Sequence, residues 1–441
     1  MNGPPVEDST TAHPVAFSWA WRYRLRQRLL GSLWFVPLLG AMLGVVLGSV
    51  ADWRGPALPA GWQYSPGTAS SVLTAIIGAM VGLFGFVVTI SVLVVQMATG
   101  TLSPRFMRLW YRDRLQKLVL AAFLGTVTFA FALLRGVTSE SAPSLGVFVA
   151  GVAFGVNLIL LLLYLDRFAH NLRPVGVGAI VGRRGLREAR NAVRDAAAAK
   201  VTIERADNPL PGASPARTIG LSEGGAVHAI HVRGLVHQAV RHDCALEITC
   251  SAGDFIPSGM PVIKIHSVGR GPEAGALAGL IALGQERSIE DDPAFALRIM
   301  VDIAIRALSP AVNDPTTAVQ LINHIEALLL GLVPYLDDKR HIVVTDEGGA
   351  VRVVVRIRSF EDYLRLAVTE IREYGGTSVQ VCRRLTAMLE SLLDVAAPAH
   401  RGSVEAELAR LDRTVDSSFA DPDDRALAGR PDRQGIGGPG G

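Results

Sequence analysis

The chain has 441 residues, of which 49% are hydrophobic and only 19% charged, and its mean hydropathy is +0.33; a wholly water-soluble protein of ordinary surface carries more charge than this. The formal net charge is +3, but the basic residues sit beside apolar stretches or alternate with Asp and Glu, and no basic patch interleaved with aromatics argues for a nucleic-acid partner. Cys244, Cys250 and Cys382 form no CxxC pair, so they read as reduced thiols rather than a disulfide or zinc framework.

In chain order, residues 1–28 read as a cytosolic N-terminal segment, since they contain no apolar core of a cleavable leader. Four uncharged apolar stretches follow, at Leu29–Val50, Ser71–Ala98, Leu118–Leu134 and Leu145–Leu165. Each is long enough at 1.5 Å per residue to approach or exceed a hydrocarbon core of about 30 Å. A four-span transmembrane domain over 29–166 is therefore expected, with Pro37 bending the first span. Lys and Arg cluster before the first span (Arg22, Arg24, Arg26, Arg28), in the second loop (Arg105, Arg108, Arg112, Arg114, Lys117) and after the fourth span. The other two loops hold only Arg54 and Arg135, so both termini are expected on the cytoplasmic side of a bacterial inner membrane.

Small residues recur every four positions at Gly40, Gly44 and Gly48, at Gly78 and Gly82, and at Gly151 and Gly155, a spacing that lets helix backbones approach within one chain or between chains. The expected spans contain no ionisable group, which argues against a proton-coupled carrier. Thr89, Ser91, Gln96 and Asn157 are polar positions inside them; helix–helix hydrogen bonding and pore lining are the two readings of these residues.

Residues 167–220 read as a connecting helix, Gly185 to Arg205, and a turn-rich linker. A cytosolic α+β domain over 221–412 follows. Its first part alternates as a small β-rich module, with strands at Ala226–Ile230, Ala245–Thr249 and Met260–Ile265 around a helix at His231–Val240. His228, His231, His237, His242 and Cys244 have no finger spacing and read as ordinary surface positions, with a weak metal site at His228 and His231 as the alternative.

Asp292-Pro293 and Asp314-Pro315 each read as an N-cap followed by proline at the first helical position. Between them Arg298, Asp302 and Arg306 are four apart, a spacing for helix ion pairs worth roughly 0.2–0.5 kcal/mol each. Together with Asn313 and Asp314 they are candidates for a subunit or ligand contact. Strands at His341–Thr345 and Val351–Ile357 and helices to Leu411 complete the domain, and residues 413–441 read as a disordered tail.

The runs QMATGTLSPRFMRLWYRDRLQKLVLAAFLGTVTFA (96–130), GDFIPSGMPV (253–262) and DPAFALRIMVDIAIRALSPAVNDPTTA (292–318) resemble the bacterial family of predicted membrane proteins DUF2254, over about residues 20 to 400. The resemblance implies four N-terminal spans with a soluble remainder and assigns no activity. Where that pattern commonly has an acidic residue, after Ile230, this chain has His231.

No Walker loop, GxGxxG, HExxH or GxSxG signature is present, so a non-enzymatic role without cofactor is expected. The leading expectation is an oligomeric ion-conducting channel with a cytosolic regulatory domain, partnered by the lipid bilayer and by further copies of itself. The alternative is a membrane scaffold or sensor that binds a protein partner or anionic lipid.

Overall fold

The computed structural model describes residues 9–50, 53, 63–101, 113–171, 174–197, 202–207, 209–210, 214–267, 269, 271–290 and 292–435. The chain divides into two compact units, one built from Gln27–Arg173 and the other from Met1–Arg26 together with Pro174–Gly441. Arg54, Arg105, Arg108 and Arg112 lie outside the described residues, as do the rest of 102–112 and the last residues of the expected tail.

The first unit is helical. Helix α1 (Trp19–Gly31) enters it, followed by α2 (Phe35–Val50), α3 (Pro66–Thr101), α4 (Arg114–Arg135) and α5 (Ser144–Asn171). Its core joins Leu73 and Met80 of α3, Phe123, Phe129 and Leu133 of α4, and Val147 and Ala150 of α5. The outer face of α2 exposes Leu38, Leu39, Met42, Leu43, Val46 and Leu47, an apolar surface suited to lipid.

The crossing of α2 with α4 explains the first small-residue series. A side chain at Gly40 would collide with the backbone of Ala121, and one at Gly44 with the carbonyl of Gly125 and the hydroxyl of Thr128. That hydroxyl donates to the Ala41 carbonyl at 2.9 Å. In contrast, Gly78 and Gly82 of α3 and Gly151 and Gly155 of α5 have no neighbour within 4 Å of an added Cβ among the described residues.

The hydropathy reading of four N-terminal spans followed by a purely cytosolic region is corrected by the structure. Among the described residues, three N-terminal helices are long and apolar enough to cross a membrane, at Pro66–Leu93, Arg114–Arg135 and Ser144–Arg167. A fourth helix of that kind, Pro315–Tyr335, lies inside the α+β region. The expected first span is broken, because α1 and α2 meet at 72°. At the break the Ser32 hydroxyl accepts from Trp34 N at 3.3 Å, while Pro37 falls in the first turn of α2, where a missing N–H costs little. A window that sums apolarity records neither event.

The second unit is α+β. A seven-stranded mixed sheet has the order β1-β3-β7-β5-β10-β9-β2, from β1 (Ser9–Ala12), β2 (Thr202–Ala206), β3 (Arg217–Leu221), β5 (Ala245–Ile248), β7 (Pro261–His266), β9 (His341–Thr345) and β10 (Val351–Arg356). A three-stranded sheet is formed by β6 (Phe255–Ile256), β4 (Gly225–Ile230) and β8 (Ile281–Gly284). The strands expected as one small local module are thus shared between two sheets. Alternation fixes which face is buried but not which distant segment pairs.

The N-terminal strand β1 runs parallel to β3, with Ser9 opposite Thr218. Residues 202–206, read from the sequence as the end of a connecting helix, instead pair with β9. The helix α6 (Pro174–Ala197) precedes them. The β-branched pair Thr202-Ile203 suits a pleated edge better than a helix.

The helices of this unit are α7 (Val232–Arg241), α8 (Ala274–Ala278), α9 (Pro293–Ala307), α10 (Pro315–Leu332), α11 (Phe360–Gly375), α12 (Val379–Val395), α13 (Pro398–Ser418) and α14 (Pro422–Ala428). The apolar face of α10, with Leu321, Ile322, Ile325, Leu328 and Leu329 buried, packs against α6, α9 and α12. Residues 413–435, read as disordered, hold the end of α13 and all of α14. Arg383, fully buried, reaches this segment by donating to the Arg430 carbonyl at 3.2 Å.

Candidate functional site

Two of the sequence-picked polar residues of the helical unit are engaged inside the chain. Asn157 is 2% exposed and donates through Nδ2 to the Thr126 hydroxyl at 2.8 Å. Ser91 donates to the Val87 carbonyl at 2.7 Å, shares a 3.0 Å hydrogen bond with the Tyr164 hydroxyl and accepts from Gln116 Nε2 at 3.1 Å. Thr89 faces outward and donates back to the Gly85 carbonyl at 2.9 Å. Gln96 is on the exposed side of α3, one turn before the helix leaves the described residues.

In the α+β unit, Arg298 is held within the chain. Its Nε donates to Asp302 at 2.7 Å and its two terminal nitrogens form a fork on Glu370 of α11, one at 2.8 Å. Arg306 lies on the same helix, in its last turn. Asn313 adopts a left-handed backbone, φ 48°, and Asp314 caps α10 by accepting from Thr317 N at 3.0 Å. Arg298 and Asp302 are thus tied to α11 through Glu370, while Asp314 is used at the start of α10.

Asp292, read as the matching cap of α9, makes no side-chain cap bond. Its carboxylate is 2% exposed and accepts from Arg287 at 3.0 Å and from Arg358 at 3.2 Å. Burial pushes the Asp292 carboxyl up from its usual range, against the opposing pull of Arg358 and Arg287. Arg358 also donates to the Ala252 carbonyl at 2.9 Å and to Asp254 at 3.3 Å. Asp254 in turn accepts from Ser251 N at 2.8 Å.

Gly253 makes this convergence sterically feasible. Its φ of +86° is accessible to glycine, and an added Cβ would overlap the Asp292 carboxylate and crowd the Arg287 guanidinium. Two segments far apart in sequence, 253–254 and 292, are thereby joined through one arginine at the end of β10.

The network forms one wall of a cavity of about 320 Å³ lined by Ser251, Asp254, Arg287, Arg340, Arg356, Ile357, Arg358, Asp362 and Leu366. Asp362 belongs to the capping box of α11, in which its carboxylate accepts from Ser359 N at 3.0 Å. Arg340 lies 3.8 Å from Asp362 and is half exposed. Arg356, exposed at the last position of β10, makes no side-chain ion pair among the described residues. Arg287 and Arg358 are held by the buried Asp292 carboxylate, whereas Arg340, beside Asp362, and Arg356 keep solvent-exposed side chains.

The sequence carried only a partial signal for this site. Asp254 and Asp292 fall in the two soluble-region runs quoted above, but Asp292 reads locally as an ordinary cap. Arg340, Arg356 and Arg358 look like charges punctuating strands, and nothing in their spacing shows that the sheet brings them to Arg287.

The family model for predicted membrane proteins DUF2254 matches residues 31–391, well over half of the chain. The chain belongs to this family. As a DUF2254 protein it is a multi-pass membrane protein, and its candidate spans accord with that description. Similar relatives include the uncharacterized protein Mb1321c of Mycobacterium bovis and the uncharacterized protein Rv1290c of Mycobacterium tuberculosis. Each is 28% identical over 425 residues, covering 90% of this chain and 79% of the relative. No solved structure matches the chain at a significant level.

Proposed function

We propose that this DUF2254 protein is a membrane sensor whose α+β unit binds a small effector and whose helical unit carries the response within the bilayer. The observation that supports this reading is the arginine-lined cavity, where the Ala252 carbonyl, Asp254 and Asp292 converge on Arg358 while Arg340 and Arg356 are solvent-exposed. Buried ion networks are weak evidence for stability but hold side chains in fixed places, and a rigid wall beside available charges suits ligand recognition. The role is binding without turnover. The location is the bacterial inner membrane with both ends cytoplasmic, supported by the pairing of β1 with β3 in the unit that also contains the C-terminal helices.

The test is hydrogen exchange on the full chain in nanodiscs, with and without a protein-free cell extract. Slower exchange at 251–254 and 356–362, accompanied by altered exchange in α3–α5, is the expected result. Unchanged exchange in both regions would contradict the sensor reading.

A second reading, ion conduction between copies of the chain, draws on the outward face of α3, where Gly78, Gly82 and Gly85 lie open alongside Thr89. Ser91 and Asn157 are spent on internal contacts and would not line that route. Ion flux in liposomes that responds to Thr89→Val would favour conduction, and a silent bilayer would remove it.

A further inference from the structure

We infer that the cavity between β10 and the start of α11 is a binding site for a phosphate group carried on a small organic body; this rests on the sensor reading and names its effector class. Four guanidiniums, from Arg287, Arg340, Arg356 and Arg358, surround the space. Among the described residues, the carboxylates paired with them are those of Asp254, Asp292 and Asp362, and Asp292 is sealed beneath the wall. Like charges gathered around a concave surface repel one another, so an anion seated among them relieves a cost that water screens only in part.

The geometry favours phosphate over carboxylate. Arg358 and Arg287 are oriented by the Asp292 carboxylate, so their remaining N–H groups point in set directions. Arg356 and Arg340 approach from β10 and from the segment before β9. Guanidiniums converging from several elements suit a tetrahedral group with oxygens on all sides, and an unengaged guanidinium edge, such as that of Arg356, can donate two parallel hydrogen bonds. A planar carboxylate offers only two oxygens, and Asp254 and Asp362 already supply that chemistry.

Size indicates that the ligand is more than inorganic phosphate. A cavity of about 320 Å³ falls at the lower end of the range for small-molecule sites. Ile357 and Leu366 give it an apolar stretch of wall. The N-terminus of α11 adds favourable potential for an anion, although its capping box already satisfies two of the helix-end groups.

The experiment titrates inorganic pyrophosphate into the full chain in phosphatidylcholine nanodiscs by calorimetry. A parallel arm compares hydrogen exchange at 356–362 in discs with and without phosphatidic acid. Saturable pyrophosphate binding, weakened about tenfold or more by Arg356→Gln and by Arg340→Gln, is expected, because a charge-assisted hydrogen bond contributes roughly 1.5–3 kcal/mol. Both residues are largely solvent-facing, so the variants should melt like the parent, which separates lost binding from lost folding.

Protection by phosphatidic acid without pyrophosphate binding would assign the same phosphate chemistry to a lipid headgroup. No response to either probe, or undiminished binding in both variants, would overturn the inference. If cell extract still protects 251–254 and 356–362 in that case, the sensor reading stands and only the phosphate assignment falls.

Discussion

Arg358 donates to the buried carboxylate of Asp292 at 3.2 Å and so ties the end of β10 to the start of α9. Arg358→Ala removes one of two guanidiniums from a carboxylate that is 2% exposed. Breaking a buried pair from one side leaves its partner desolvated, and a loss of about 3 kcal/mol is expected. Thermal unfolding of the full chain in detergent should show a large fall for Arg358→Ala. Arg356→Gln should show almost none.

Gly253→Ala should also destabilise, despite adding a single methyl group. The backbone there is left-handed, and the new Cβ would enter the space of the Asp292–Arg287 pair. Strain at a positive φ exceeds the roughly 0.4–1 kcal/mol that Gly→Ala gains at a compatible position. Comparing the melting temperature of Gly253→Ala with that of Gly269→Ala, where an added Cβ meets nothing within 4 Å among the described residues, checks this.

The glycines of the helical unit separate into two classes with different expected outcomes. Gly44→Leu places a side chain against the Gly125 carbonyl and Thr128 hydroxyl, and overpacking of this kind typically costs about 1–3 kcal/mol. Gly82→Leu meets no described neighbour, so the fold of one chain should tolerate it. If copies associate through α3, light scattering in detergent should show a smaller particle for Gly82→Leu while its melting temperature is unchanged.

All three thiols should be inert in the folded chain. Burial pushes the Cys250 thiol up to about 12 and the Cys382 thiol up to about 11, and Cys244 is also raised by burial. The reactive thiolate is scarce whenever the pH lies well below the pKa. A thiol reagent at mildly alkaline pH should label none of the three before denaturation and all three afterwards.

Much of the secondary structure was legible because the signals are local: the β-branched run in His341–Thr345 and the apolar stripe of Phe360–Tyr374 each come from one continuous segment. The long-range organisation was not. Nothing in Ser9–Ala12 states that it will pair with Thr218, and Thr202–Ala206 takes its strand form from β9. The break at Ser32 is a local competition for a backbone N–H that hydropathy does not register. The candidate site suffered the same limit, since Asp254, Asp292 and Arg358 acquire meaning only when three distant segments meet. Asp314 fulfilled its capping pattern and Asp292 did not.

The most direct test of the central claim is a high-resolution density map of the full chain, purified from membranes and held in nanodiscs with pyrophosphate present. The account predicts non-protein density in contact with Arg340, Arg356 and Arg358, absent from the Arg356→Gln, Arg340→Gln double variant. A cavity filled only with water in the parent protein, with Arg340 and Arg356 turned outward, would contradict it.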